Sequence, residues 1–142
     1  MIPFEAVDIT SVGSPFSLSN TYVTADFDPN GMLQSITTKD DQIKTETKIE
    51  FWEYGTKSRG DKSGAYLFLP DGAGKARKLN SPLVRIVEGK LRSTVTVHQP
   101  WIRHIVILNN SPGTDGTGLT VICLIQIFFI YLFFHRLKMT LT

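Results

Sequence analysis

Asp26 and Asp28 stand two residues apart, and paired carboxylates are a common basis for acid–base chemistry on a substrate. Acid–base catalysis by a carboxylate pair needs the two groups facing each other across the bond that breaks. Two acids at the end of one short run do not fix that arrangement. Asp28 precedes Pro29-Asn30-Gly31 and is better read as the side-chain acceptor of a tight turn. The histidines His98, His104 and His135 show neither His-x-His nor His-Glu-x-x-His spacing, so no metal site is expected within the chain. Cys123 is the sole cysteine; it can form no internal disulfide and carries no information about compartment. Arg59-Gly60-Asp61 spells an adhesion tripeptide, but three residues in a glycine-containing loop are explained by solvation. Asn109-Asn110-Ser111 is a glycosylation acceptor pattern, weakened by Pro112 directly after it. Lys75-Ala76-Arg77-Lys78 reads as a small solvated basic patch.

The elements that must position these residues are strands. From Thr21 to Leu108, β-branched and aromatic runs alternate with Gly, Pro, Asn and Asp, and no helical stripe emerges. Val23, Ala25 and Phe27 share one face of the run Thr21 to Phe27. Asp28-Pro29-Asn30-Gly31 then combines a preset φ at proline with a residue tolerant of positive φ, which predicts a hairpin into Met32 to Thr37. Ile49 to Tyr54 and Tyr66 to Leu69 are further strand candidates. Leu83 to Val87 and Leu91 to Val97 flank Glu88-Gly89-Lys90 as a second hairpin, with Leu91, Val95 and Val97 on one face of the second run and Arg92, Thr94, Thr96 and His98 on the other, wet face. Trp101 to Leu108 has apolar residues on both sides and is expected to be covered on two faces. The sum is an all-β chain, an antiparallel β-sandwich.

The chain has 142 residues, with 15 Lys and Arg against 13 Asp and Glu. Two of the basic residues, Arg136 and Lys138, follow the apolar run that starts at Leu119, so the preceding body is formally neutral and offers no electrostatic attraction to nucleic acid. Met1 to Asp8 lacks a basic stretch followed by an apolar run, and no cleavable secretory signal is expected.

A longer pattern is more specific. Tyr54-Gly55-Thr56 followed by Asp61-Lys62-Ser63-Gly64-Ala65-Tyr66-Leu67-Phe68-Leu69-Pro70, with Leu18-Ser19-Asn20, Phe27-Asp28-Pro29-Asn30-Gly31, Ser81-Pro82-Leu83-Val84-Arg85 and Val87-Glu88-Gly89-Lys90-Leu91, resembles the C-terminal β-domain of class II α-mannosidases. These are the glycoside hydrolase family 38 enzymes, here in their Golgi branch. The resemblance implies an incomplete antiparallel β-sandwich of the galactose mutarotase-like, family 38 C-terminal type. It implies a Golgi membrane or lumenal setting and, for the complete enzyme, zinc-assisted retaining hydrolysis of mannose-containing N-glycans. Zinc ligands and catalytic carboxylates belong to an N-terminal domain in that family, so the chain is expected to carry no catalytic residue, no metal ligand and no turnover by itself. Tyr66 is the residue the resemblance marks as substrate-binding. A phenol suits the task, since its ring covers a sugar face and its hydroxyl hydrogen-bonds a sugar hydroxyl.

The expected division is an N-terminal segment, residues 1–15, a partial β-domain, 16–118, and an apolar tail, 119–142. The run Leu119 to Phe134 contains no charge; as a helix its sixteen residues would span about 24 Å, against a hydrocarbon core of about 30 Å. It is a candidate membrane segment through 119–134, or a buried or untemplated apolar tail. Two further readings stand beside the mannosidase fragment: a non-catalytic carbohydrate-binding or docking β-module, and a tail-anchored membrane protein. An incomplete sandwich also leaves open sheet edges, through which self-association is expected.

Overall fold

The computed structural model describes residues 13–57, 60 and 66–125, together with the backbone of two outlying strands, 6–7 and 136–141. In chain order the strands are β1 (Ala6–Val7), β2 (Phe16–Ser19), β3 (Val23–Phe27), β4 (Leu33–Thr38), β5 (Lys44–Glu53), β6 (Lys75–Arg77), β7 (Leu83–Val87), β8 (Arg92–Gln99), β9 (Ile102–Asn109), β10 (Leu119–Ile125) and β11 (Arg136–Leu141). The first sheet has the order β11-β5-β4-β3-β2, with β6 also on β5. The second runs β1-β7-β8-β9-β10. Every pairing is antiparallel. The chain is therefore all-β with two antiparallel sheets. No helix among the described residues is long and apolar enough to cross a membrane.

The first sheet grows from the expected hairpin. Val23, Ala25 and Phe27 are buried while the residues between them are half-buried, as alternation requires of a strand with one core face. At the turn, the Asp28 carboxylate accepts from the Asn30 and Met32 amides at 2.8 and 2.9 Å, and the Asp28 N–H donates to the Met32 carbonyl. Gly31 takes φ +75°, and a Cβ there would lie 2.8 Å from Val97 Cγ2 and 2.9 Å from Val84 Cγ1. Glycine thus satisfies both a left-handed backbone and a close approach to the opposite sheet.

In the second sheet β7, β8 and β9 place Val84, Ile86, Val95, Val97, Ile102, Val106 and Leu108 against the first sheet. Ile105 and Ile107, on the other side of β9, are half-buried. Leu91, expected to share the core face of β8, is 83% exposed in the hairpin turn, and Ser93 takes the buried position instead. The apolar run that begins at Leu119 enters as β10, paired with β9 from Leu119–Leu108 to Ile125–Ile102. The expectation of a helix or free tail from Leu119 is thus corrected over this stretch. Backbone groups of an apolar run need partners, and the edge of β9 supplies them. Residues 126–135 lie outside the described residues. Tyr66 to Leu69 is also not a strand; only an isolated bridge, Thr56 to Pro70, forms nearby.

The core lies between the sheets. Phe16 stacks on Phe27 with ring centres 5.0 Å apart. Phe51 meets Trp101 edge-on at 5.4 Å and His104 at 5.9 Å. Arg77 lies over the Trp101 ring at 4.7 Å while its guanidinium pairs with Glu53 at 3.1 Å. These contacts join β5 and β6 of one sheet to the turn before β9 of the other, through dispersion and cation–π attraction.

Candidate functional site

Tyr66 sits in the long connection from β5 to β6. The two ends of that connection are tied together: Thr56 bridges Pro70, the Asp71 amide donates to the Gly55 carbonyl at 2.8 Å, and Phe68 packs edge-on to Tyr54 with ring centres 6.5 Å apart. Gly74 lets the chain pass the Tyr54 ring, because a Cβ there would fall 2.6 Å from its Cζ. The loop base is thereby fixed to the sheet while Tyr66, at 103% exposure, and Leu67, at 62%, stand out into solvent. An amphipathic ring standing outward beside a loop base that is tied to the sheet is suited to contact a sugar or another surface. Asp61 to Ala65 of the recognised block, and Arg59 and Asp61 of the adhesion tripeptide, lie outside the described residues.

The two candidate carboxylates have structural partners. Asp28 closes the β3–β4 turn. Asp26 accepts from the hydroxyls of Ser17, at 2.6 Å, and Ser35, at 2.7 Å, joining β2, β3 and β4. Those hydroxyls hold its pKa below the ordinary carboxylate value, with a further contribution from the charge of Lys44.

The histidines do not converge. His98 lies on the outer face of β8, and His104 is fully buried in β9. His104 Nδ1 approaches Cys123 Sγ at 3.2 Å, and burial drives its pKa down to about 4, so the imidazole is neutral at pH 7. Burial pushes the Cys123 thiol up. His135 lies outside the described residues. Among the described residues no group of three His, Cys, Asp or Glu side chains could hold a metal ion.

The most complete polar constellation is one the sequence did not announce. Asn20 Nδ2 donates to the carbonyls of Asn109 at 2.6 Å and Gly116 at 2.7 Å, and Oδ1 accepts from the amides of Tyr22 and Val23, both at 2.8 Å. All four hydrogen-bonding positions of the amide are used, tying the β2–β3 turn to the chain after β9. Asn20 stands in the Leu18-Ser19-Asn20 part of the resemblance, which was the signal available. Arg77, expected within a solvated basic patch, instead stacks on Trp101 and pairs with Glu53, and Arg103, opposite His98, had no local motif because only strand register brings the two together.

The comparison with protein families returns the description "Glycosyl hydrolases family 38 C-terminal domain" over residues 18–127, a match that continues past Leu119 into the apolar run. Alpha-mannosidase 2 of Rattus norvegicus is 34% identical over 125 residues, 87% of this chain but 11% of that protein. Alpha-mannosidase 2x of Mus musculus is 38% identical over 119 residues, 82% of this chain and 10% of its own length. Alpha-mannosidase 2 of Drosophila melanogaster is 40% identical over 85 residues, 60% of this chain and 8% of its own. The chain thus spans about a tenth of the relatives it matches. With the two-sheet architecture and a family match over most of its length, the chain belongs to glycosyl hydrolase family 38, in the C-terminal domain of that family.

Proposed function

We propose that this chain supplies part of the C-terminal β-domain of an α-mannosidase 2-like glycoside hydrolase, acting on α-mannosyl linkages of N-glycans in the Golgi when joined to a catalytic unit. The contribution of the chain is Tyr66, a sugar-contacting phenol presented beside a catalytic pocket that other residues build. The observation that carries this is the complete exposure of Tyr66 on a loop whose base is locked at Thr56–Pro70. A protruding ring has no role in the sandwich core, whereas its ring face and hydroxyl match a hexose.

The test is a chimera in which residues 16–118 replace the matching segment of rat alpha-mannosidase 2. Tyr66→Ala in the chimera is expected to lower kcat/KM for an aryl α-mannoside about 10- to 100-fold, the loss of about 1.4 to 2.8 kcal/mol of transition-state stabilisation. Tyr66→Phe separates hydroxyl from ring and should fall between. Equal kcat/KM for all three proteins would overturn the assignment. The chain alone, incubated with the same mannoside and zinc, is expected to release no product above a heat-killed control; clear release would contradict the reliance on a separate catalytic unit.

One observation favours an added property, self-association. β10 ends its sheet, and Ile122, Leu124 and Ile125 on it are 36%, 51% and 37% exposed. An apolar edge strand is a template for a second strand. Sedimentation at increasing concentration tests it: a strictly monomeric chain would exclude it.

A further inference from the structure

We propose that the outer face of the β7–β10 sheet carries a site for a tetrahedral oxyanion, a sulfate or phosphate ester group, held by Arg103 and His98 at a cleft and flanked by Arg85. Register places the residues. His98 is directly opposite Arg103, with Leu83 beyond His98 and Leu124 beyond Arg103, so the four form one row across β7, β8, β9 and β10. Arg85 pairs with Thr96 and is the diagonal neighbour of His98 on the same face. A cleft of about 300 Å³ opens at this end of the strands, lined by His98, Arg103 and Leu124 of that row and by Gln99, Ile102 and Ile125 of the adjacent, inward-facing row. That volume is at the small end for ligand sites, about 300 to 1,000 Å³, and suits a compact group. Gln99 is held in place by its Nε2 bond to the Asn80 carbonyl at 3.0 Å.

The charge pattern selects the ligand. β7, β8, β9 and β10 contain no Asp or Glu, and the cation that lines the cleft is Arg103. A dianion suits this pair: the planar guanidinium of Arg103 can donate two parallel N–H bonds to an oxyanion, and His98, once protonated, adds a third donor. Partial burial of His98, then the charges of Arg103 and Arg85, hold its pKa below the ordinary histidine value. Of the strands beside it, β7 presents Arg85 and Leu83 to His98, β9 presents Arg103, and the next strand, β10, presents only Leu124 to this row. The free site therefore holds a neutral imidazole at pH 7, and an anion that favours the imidazolium binds more tightly as pH falls. This inference is independent of Tyr66, which lies on a loop of the other sheet.

The experiment titrates the full chain with sodium sulfate, which does not itself titrate near neutral pH, and follows the His98 imidazole by NMR against sodium chloride at matched ionic strength. Saturable movement with sulfate alone, and a rise of about one unit in the His98 pKa at saturation, are expected; by linkage that rise makes affinity about tenfold greater below the His98 pKa than above it. Arg103→Gln should abolish the saturable component, and His98→Gln should keep weak binding without its pH dependence. Both replacements are on the outer face, and the wild-type titration decides the matter even if either variant is poorly folded. A sulfated monosaccharide forms the second arm: tighter binding than inorganic sulfate assigns the site to an ester, and equal binding assigns it to the free ion. Identical responses to sulfate and chloride, or an unchanged response in folded Arg103→Gln, would overturn the proposal.

Discussion

Asn20→Ala should be among the most damaging single substitutions on the rim of this sandwich. The substitution strands four backbone groups at once: the Gly116 and Asn109 carbonyls and the Tyr22 and Val23 amides. The bonds to Gly116 and from Val23 are buried, and the other two are partly so. A stranded buried group costs about 1–3 kcal/mol, and a partly wet one about 0.5 kcal/mol, which sums to about 3 to 7 kcal/mol. Solvent entry at the opened turn favours the lower end, about 4 kcal/mol. Since about 3 to 5 °C of melting temperature accompany each kcal/mol in a chain of this size, Tm should fall by roughly 12 to 20 °C. Urea unfolding followed by far-ultraviolet circular dichroism reads this as a lower midpoint with an unchanged slope. Asn20→Asp sharpens the test. It keeps the acceptors for Tyr22 and Val23 but turns the two donors into an oxygen facing two carbonyls, so its folded-state pKa is raised. The stability of that variant is then greatest below the unfolded value of about 3.9 and is lost as pH rises through the folded one. A loss under about 1 kcal/mol for Asn20→Ala, the range of an ordinary surface position, would refute the assignment of Asn20 as a tie between turns.

Gly31→Ala forces a side chain into φ +75° and into contact with Val84 and Val97, so a loss of about 2 to 5 kcal/mol is expected in the same urea assay. For His104 the folded pKa of about 4 lies below the unfolded value of about 6.5, so the unfolded chain takes up the proton first. Stability should therefore fall by about 3 kcal/mol between pH 6.5 and 4, and His104→Leu should flatten the midpoint-against-pH curve over that window. Asp26 acts lower: its depressed pKa contributes stability that is present above the unfolded value and lost as pH falls through the folded one, below 3.8. Asp26→Asn should reduce that acid limb, to which Asp41 also contributes, and leave the His104 limb in place.

How far the sequence could be read depended on the range of the interaction. The alternation of Val23, Ala25 and Phe27 and the turn chemistry of Asp28 to Gly31 are local, and both appear in the structure as expected. The wet face of β8, from Arg92 to His98, follows from the same two-residue period. Leu91 misled because a hairpin turn interrupts that period before the strand begins. The run from Leu119 misled for a different reason. Length and apolarity describe a helix and a buried strand equally well, and only the free edge of β9 decides between them. Tyr66 was singled out by family resemblance alone, and its exposure could not be read from the sequence. The partners of Asn20 are 89 and 96 residues away along the chain, beyond any local pattern.

The Glu53–Arg77–Trp101–Phe51 stack amounts to an optical gauge. Trp101 takes its cation from β6 and its aromatic neighbour from β5, while it precedes β9 in the opposing sheet. Any widening of the gap removes both neighbours from the indole together. Replacing Trp52 with phenylalanine would leave Trp101 as the single emitter, so that its fluorescence follows the separation of the two layers in real time.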